Sequence, residues 1–481
     1  MKSLSATLLP LAAVALLLPA SAAAQGKNCS LLGTWNKGSG HGYNDIWGYT
    51  APDGKEYALV GLTTGFSVVD CSNPAKPVEV AYWAGKSSSW RDVKTYGQYA
   101  YVVTEASSEG VWIINLKDPQ KPVFVTKWGT AVYRNCHNIA MDWENGHAYL
   151  CGTNKGMLVI DLSKNPENPT LIATYASPYV HDAAIQHGWA HLADIYGNNY
   201  RLVDVTKLPT FTQLGQAPAP GSQYCHNTWP TWDDNYCVTT NEAAGGPVAI
   251  FDITTPTKPT LIAKVTAGPS NAIAHNVIVV DRMIHASYYT EGYQCWDMSD
   301  PKNPVSVASY DTWPGTSGGY NGNWGVYSFN PSGNIFLNDI STGLYVVKPA
   351  STSTYYGKDS PGTGGVAPEV HTFGAPFLGN ANFRFDLRHG LASSVGVLLF
   401  TTKAAQATVS GLEINVDLTS AGSLVLPVPT DAKGEAPVPI PLPNDSGLKG
   451  LSLFLQWLVV DKNGPLGLSS SRGMQATLFQ K

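Results

Sequence analysis

Beyond the first 25 residues, apolar and polar side chains alternate in short runs rich in Val, Ile, Tyr and Trp, and Gly, Pro, Asn and Asp punctuate the runs. That period is the signature of strands with one buried face, and the punctuating residues close strands into tight turns. Long helical runs rich in Ala, Glu, Lys and Leu do not occur in this part of the chain. The pattern predicts an all-β protein.

The runs are organised as a repeat. One motif recurs as GFSVVDCSNPAKP (65–77), GVWIINLKDPQKP (110–122), GMLVIDLSKNPENP (156–169), GPVAIFDITTPTKP (246–259) and GYQCWDMSDPKNP (292–304). A weaker copy is NYRLVDVTKLPT (199–210), and a truncated one is GLYVVKP (343–349). The position held by Asp70, Asn115, Asp161, Asp204, Asp252, Asp297 and finally Lys348 steps by 43–51 residues. Each copy predicts a Gly-led strand, a turn in which the Asp side chain bonds backbone amides, and a further strand. A hairpin precedes each copy, most clearly CHNIAMDWENGHAYLCGTN (136–154) with its Asn-Gly turn. Four strands at this period are the signature of a propeller blade. The seventh copy stops at Pro349 without an outer strand, and residues 29–35, CSLLGTW, resemble the outer strands of the other copies. The expected fold is therefore a seven-bladed β-propeller over residues 29–349, with the N-terminal strand closing the last blade.

Residues 350–365, STSTYYGKDSPGTGGV, have the composition of a linker. Short apolar runs between Pro-rich stretches over 366–481 predict a small antiparallel β-sandwich. At the other end, Lys2, an apolar stretch over 8–19 and the small residues 20–24 predict a secretory signal peptide over residues 1–24. The mature chain is expected outside the cytoplasm: secreted, at the cell surface or in a periplasm. No later stretch reads as a transmembrane segment.

Several stretches, YALVGLTTGFSVVD (57–70), SSSWRDVKTYGQYAYVVTE (87–105) and NGNWGVYSFNPSGNIFLNDISTGLYVV (321–347), resemble the choice-of-anchor B family, extracellular bacterial proteins with LVIVD-type repeats. The resemblance spans about residues 29–349 and implies a propeller and an extracellular location, with no activity attached. The C-terminal stretch resembles a module of secreted planctomycete-type proteins. After Lys481 neither a membrane helix nor a sorting signal is read, which leaves surface attachment open.

Composition adds limits. A formal charge of −5 without a basic cluster gives no footprint for nucleic acid. Seven cysteines face an oxidising compartment, and Cys136 and Cys151, which flank one hairpin, are either a disulfide or two small buried hydrophobes.

The candidate chemistry lies in one column. Aligning the first strands gives Asn44-Asp45, Arg91-Asp92, His137-Asn138, His181-Asp182, His226-Asn227, His275-Asn276 and Asn323-Trp324. Four of the 11 histidines fall at one position of four successive blades, where the first strand enters the central channel. The second strands return Glu105, Asn154, Asp194, Glu242 and Asp339 toward the same mouth.

Three readings follow. The His and Asx side chains form a hydrogen-bonded network that ties blades together, as in WD-repeat propellers. Alternatively, His137, His181, His226 and His275 hold Cu or Zn, with Asp92, Asp182 or Glu242 as acid–base partners of a metal-dependent enzyme. In the third, Asn44, Asp45, Arg91, Asp92, Asp182, Glu105 and Glu242 receive an organic or anionic ligand. No nucleophile elbow, Gly-rich phosphate loop or HExxH motif is present. The leading expectation is thus a binding module for an extracellular protein, a glycan or a small ligand. The tryptophans are expected chiefly in the core.

Overall fold

The computed structural model describes residues 26–221 and 223–481, so the expected signal peptide lies outside the described residues. No α-helix occurs among them. From residue 29 to residue 349 the chain builds seven successive four-stranded antiparallel sheets, one of which carries a short fifth strand. In the first sheet the order is Tyr43–Thr50, Glu56–Leu62, Gly65–Asp70 and Val78–Ala84. The innermost strands of the others are Arg91–Tyr96, Asn138–Asp142, Asp182–Gln186, Cys225–Pro230, Val277–Val280 and Asn323–Tyr327. Each packs against its neighbour, and the last packs against the first, giving a closed, propeller-like arrangement. Apolar clusters fill the spaces between adjacent sheets.

Two local devices repeat. The repeat's acidic or Asn position accepts the amide two residues on in six sheets, as at Asp70–Ser72 (2.8 Å), Asn115–Lys117 (2.8 Å), Asp161–Ser163 (2.9 Å), Asp204–Thr206 (2.8 Å), Asp252–Thr254 (3.0 Å) and Asp297–Ser299 (2.6 Å). These are the Asx turns that the motif predicts. The outermost pair of strands also carries a register shift in every one of the seven sheets. Such a bulge bends the edge strand and strengthens its twist.

The strand Cys29–Trp35 shares that shift, between Leu31 and Gly33, and pairs antiparallel with Gly343–Pro349. It is therefore equivalent to the six other outer strands, although it comes first in the chain. Just before it, Gly26–Lys27 pairs with Val305–Tyr310 of the preceding sheet. The N-terminal segment thus stitches two sheets together.

Residues 350–365 depart from the expected linker. Thr354–Tyr356 pairs with Gly473–Thr477, and Ser360 bridges to Ser470. A Thr-Tyr-Tyr run has high strand propensity, and this outweighs its small polar neighbours. It is the edge strand of a larger sheet built on Ser452–Val460 and Val395–Thr401, beside which lies a three-stranded sheet of Glu369–Phe373, Arg384–Arg388 and Ala436–Pro439. Both contribute to one apolar core around Phe385, Leu455 and Trp457. Part of the Pro-rich sequence forms strands rather than turns: Leu424–Pro429 and Ala436–Pro439 each lie at a sheet edge, where missing N–H groups cost nothing.

This C-terminal part packs on the sheets. Phe377 and Phe479 enter the cluster that holds Tyr293 and Leu337. Asp297 accepts from the Ala375 amide at 2.6 Å and from Asn380 at 3.1 Å. Asp281, its side chain 9% exposed, meets His371 at 2.9 Å and Arg388 at 3.1 Å. Asp281 and Trp232 follow the ends of inner strands, whereas the histidine column stands at their beginnings. The C-terminal part therefore leaves the histidine end of the channel uncovered.

The Cys136–Cys151 disulfide does not form, and all seven cysteines are free thiols. Cys151 stands opposite Asn138, two residues from Cys136, so the hairpin register separates the two cysteines. Both are buried, as small hydrophobes.

Candidate functional site

The column begins as backbone geometry. At the entry of four successive inner strands the imidazole reaches a partner on a neighbouring sheet, and the Asx that follows it bonds to another inner strand or its entry. In the first position the four imidazoles stand in an arc, their planes tilted 52°, 50° and 44° to one another, with ring centroids 4.2, 4.2 and 4.3 Å apart from His137 to His275. His181 Nδ1 meets the His226 carbonyl at 2.9 Å, His226 Nδ1 the His275 carbonyl at 3.2 Å, and His275 Nδ1 the Trp324 carbonyl at 2.6 Å. A carbonyl only accepts, so each of these Nδ1 atoms carries the proton and donates. His137 Nδ1 meets Glu105 Oε1 at 2.6 Å. The neutral rings are held neutral: burial first, then neighbouring imidazole charge, pushes His226 and His275 down to about 3, and His181 well below its ordinary value.

The second position makes a polar ring beneath. Asn227 Nδ2 donates to Asp182 Oδ2 at 2.6 Å, Asn276 Nδ2 to Asp45 Oδ2 at 2.8 Å, and the Ile139 amide to Asp92 Oδ2 at 2.9 Å. Lys94 Nζ sits 2.7 Å from Asp92. Burial, then the Asp92 charge, pushes Asp45 up to about 7, and burial pushes Asp182 up to about 6. Burial works against the Lys94 charge, but Asp92, Asp45 and Asp182 outweigh it and raise its pKa.

The network reading and a ligand reading thus coexist. The network consumes Nδ1 of three histidines and leaves their Nε2 atoms, as neutral acceptors, on a cavity of about 570 Å³. His137, His181, His226, His275, Glu105 and Glu242 all line it. The other expected residues do not. Asp45 and Asp92 border only a throat of about 10 Å³ beneath the arc. Asn44 is buried and donates to the Ser89 carbonyl at 2.7 Å, and Asp182 is spent on Asn227. Asp194 pairs with Arg201, Asp339 accepts from the Ser341 amide of its own turn, and Asn154 accepts from the Arg134 amide.

Arg91 differs from its column neighbours. Its guanidinium donates to the Leu62 and Lys86 carbonyls and lies over Trp112, 5.0 Å from the ring. It shares the column and borders the same throat as Asp45 and Asp92, but two backbone carbonyls hold its guanidinium, and it does not line the larger cavity.

The aromatic wall is new to the structure. Trp90, Tyr179, Tyr196, Tyr224, Tyr289, Tyr320 and Trp324 complete the cavity. Tyr179 and Tyr224 each stand two residues before a column histidine, a spacing visible in the sequence but no different there from that of ordinary core aromatics. Tyr196 is 76% exposed and Trp90 42%, so the wall is open to solvent.

All-β architecture, repeated sheets and a channel with a built polar mouth define a propeller-like protein. Within it, the family model of the LVIVD repeat matches residues 55–83, 88–129 and 144–177, the first three sheets, so the chain carries LVIVD repeats in a β-propeller fold. No curated protein matches the chain. Among solved structures, it is similar to the Cps50 (Swd1) β-propeller domain of Myceliophteria thermophila, at 10% identity and TM-score 0.49 over 66% of this chain and 98% of that one. It is also similar to the RRP9 WD40 repeats, at 8% identity and TM-score 0.49 over 68% and 99%.

Proposed function

We propose that residues 29–349 are a seven-bladed β-propeller of the choice-of-anchor B type, followed by a β-sandwich over about 366–481, exported by the 1–24 signal peptide. The protein acts outside the cytoplasm as a binding module, and its ligand enters the histidine mouth. One observation carries this reading: an open cavity of about 570 Å³ collects free imidazole nitrogens, two carboxylates and an aromatic wall at the channel end that the C-terminal part does not cover. Ligand sites of this size combine apolar walls with a few converging polar groups. Acceptors dominate here, so the ligand brings donors or positive charge, as an amino sugar, a polyamine or a glycan terminus does. Among the described residues no helix is long and apolar enough to cross a membrane.

The test is thermal-shift screening of the mature chain against amino sugars, polyamines and neutral oligosaccharides, repeated on Tyr196→Ala and Glu105→Gln. Compounds that raise Tm in the parent and lose that effect in both variants support the mouth. Compounds whose effect survives both variants place binding elsewhere and overturn the reading.

A further inference from the structure

Within the arc one subset stands apart. His226 Nε2 lies 3.5 Å from Glu242 Oε2, and His275 Nε2 lies 3.9 Å from Glu242 Oε1. Among the described residues, His226, Glu242 and His275 form the one group of three whose ligand atoms all come within 4.8 Å of one another. Ligands held at about 2.1 Å in a tetrahedral zinc site stand roughly 3.4 Å apart, so separations of up to 4.8 Å close by about 1.4 Å at most on a common ion, within reach of side-chain rotation at Glu242.

The surroundings are prepared for that role. Each imidazole donates Nδ1–H to a backbone carbonyl, the arrangement that fixes the tautomer and aims the Nε2 lone pair. Glu242 Oε1 accepts from the Tyr289 hydroxyl at 2.6 Å, which orients the carboxylate. Both histidines are buried and Glu242 is partly exposed, so the group lies at the cavity wall. Two neutral nitrogens and one carboxylate suit zinc or copper and are poor for calcium or magnesium.

We propose that His226, His275 and Glu242 bind one divalent transition-metal ion of the zinc or copper class, with a coordination position open to the cavity. The proposal rests on the reading of the mouth as the binding face. It replaces the four-histidine set by two histidines and a glutamate, because the Nε2 atoms of His137 and His181 fall outside the group. An ion there supplies the positive charge at which an oxygen or nitrogen donor of the ligand docks.

The experiment uses the full mature chain, purified without a His tag and freed of metal by chelation. Zn²⁺ is titrated against a chromophoric competitor, and Co²⁺ binding is followed by visible absorption. Expected are one ion per chain, a cobalt spectrum of low-coordinate type, and a Kd at least tenfold weaker in Glu242→Gln and in His226→Ala. His147→Ala, outside the mouth, retains the parent affinity. Circular dichroism verifies that each variant folds, and Tyr289→Phe, which keeps the ring, gives a smaller loss. Substoichiometric binding, or stoichiometric binding indifferent to Glu242→Gln, overturns the proposal. The two readings fail separately: mouth-dependent organic binding without a metal sinks only the metal site, and a stoichiometric ion sensitive to Glu242→Gln sustains it even where organic ligands ignore the mouth.

Discussion

Asp45 is buried beneath the histidine arc with Asp92, Lys94 and Asp182 around it, and its carboxyl is pushed up to about 7. A raised carboxyl means that the folded chain holds its proton more tightly than the unfolded chain does. Between the ordinary value near 3.8 and about 7, the folded state binds more protons, so stability falls as pH rises across that window. Each tenfold difference in proton affinity between the two states is worth about 1.4 kcal/mol. Asp45→Asn removes this slope: Asn276 Oδ1 has no partner and can accept from the new amide once the Asn276 side chain flips. Tm measured from pH 4 to pH 8 should decline less in Asp45→Asn than in the parent, and equal slopes would assign the decline to other groups. At this scale the sequence discloses which residues share a register position, and hence the four histidines and Glu242. It does not disclose side-chain direction, so register alone does not show that Arg91 is committed to Trp112 and two carbonyls and borders the throat rather than the larger cavity. Nor does it separate the rim tyrosines from core tyrosines, since both occupy the same kind of strand end.

Strands and turns are more legible, because alternation and the Asp–Pro turn are local signals. The closing strand Cys29–Trp35 is the sharpest case, legible only by comparison with the other outer strands. Its alternation divides its residues: Leu32 and Trp35 pack against the core, whereas Leu31 is 43% exposed. Leu32→Ala should therefore cost about 2 kcal/mol. Leu31→Ala should cost about 0.5 kcal/mol or less, as surface changes do. Deleting residues 26–36 removes the outer strand of one sheet and the added strand of the preceding one, and leaves Gly343–Pro349 as an unpaired edge. Such an edge invites pairing with other chains. A sharply lower Tm and concentration-dependent association by light scattering are expected; a monomeric deletion variant with the parent Tm would show the strand to be dispensable. Less legible are the Pro-bearing strands at 424–429 and 436–439, where edge position, a tertiary fact, decides whether Pro is tolerated.

For the whole molecule, the repeat makes the sheets predictable, but nothing in it announces how closely the C-terminal part is docked. Asp281 anchors that contact. Burial works to raise its carboxyl, yet His371 and Arg388 outweigh burial and hold it below its ordinary value. Asp281→Ala leaves buried Arg388 without a carboxylate and His371 with Glu369 alone, at a cost on the order of 3–5 kcal/mol. A Tm drop of several degrees is expected, and an unchanged Tm would mean that the docking rests on Phe377, Phe479 and the Asp297 hydrogen bonds. This docking occupies one end of the channel and leaves the other open, which is why the function is assigned to the histidine mouth. Anomalous diffraction at the zinc edge, from crystals grown with Zn²⁺, tests that assignment most directly. The account predicts a peak bonded to His226 Nε2, His275 Nε2 and Glu242, at about 2.1 Å from each ligand atom. Zinc found only at surface pairs such as His187 with Asp234 or His389 with Glu369, with the mouth bare, would contradict it.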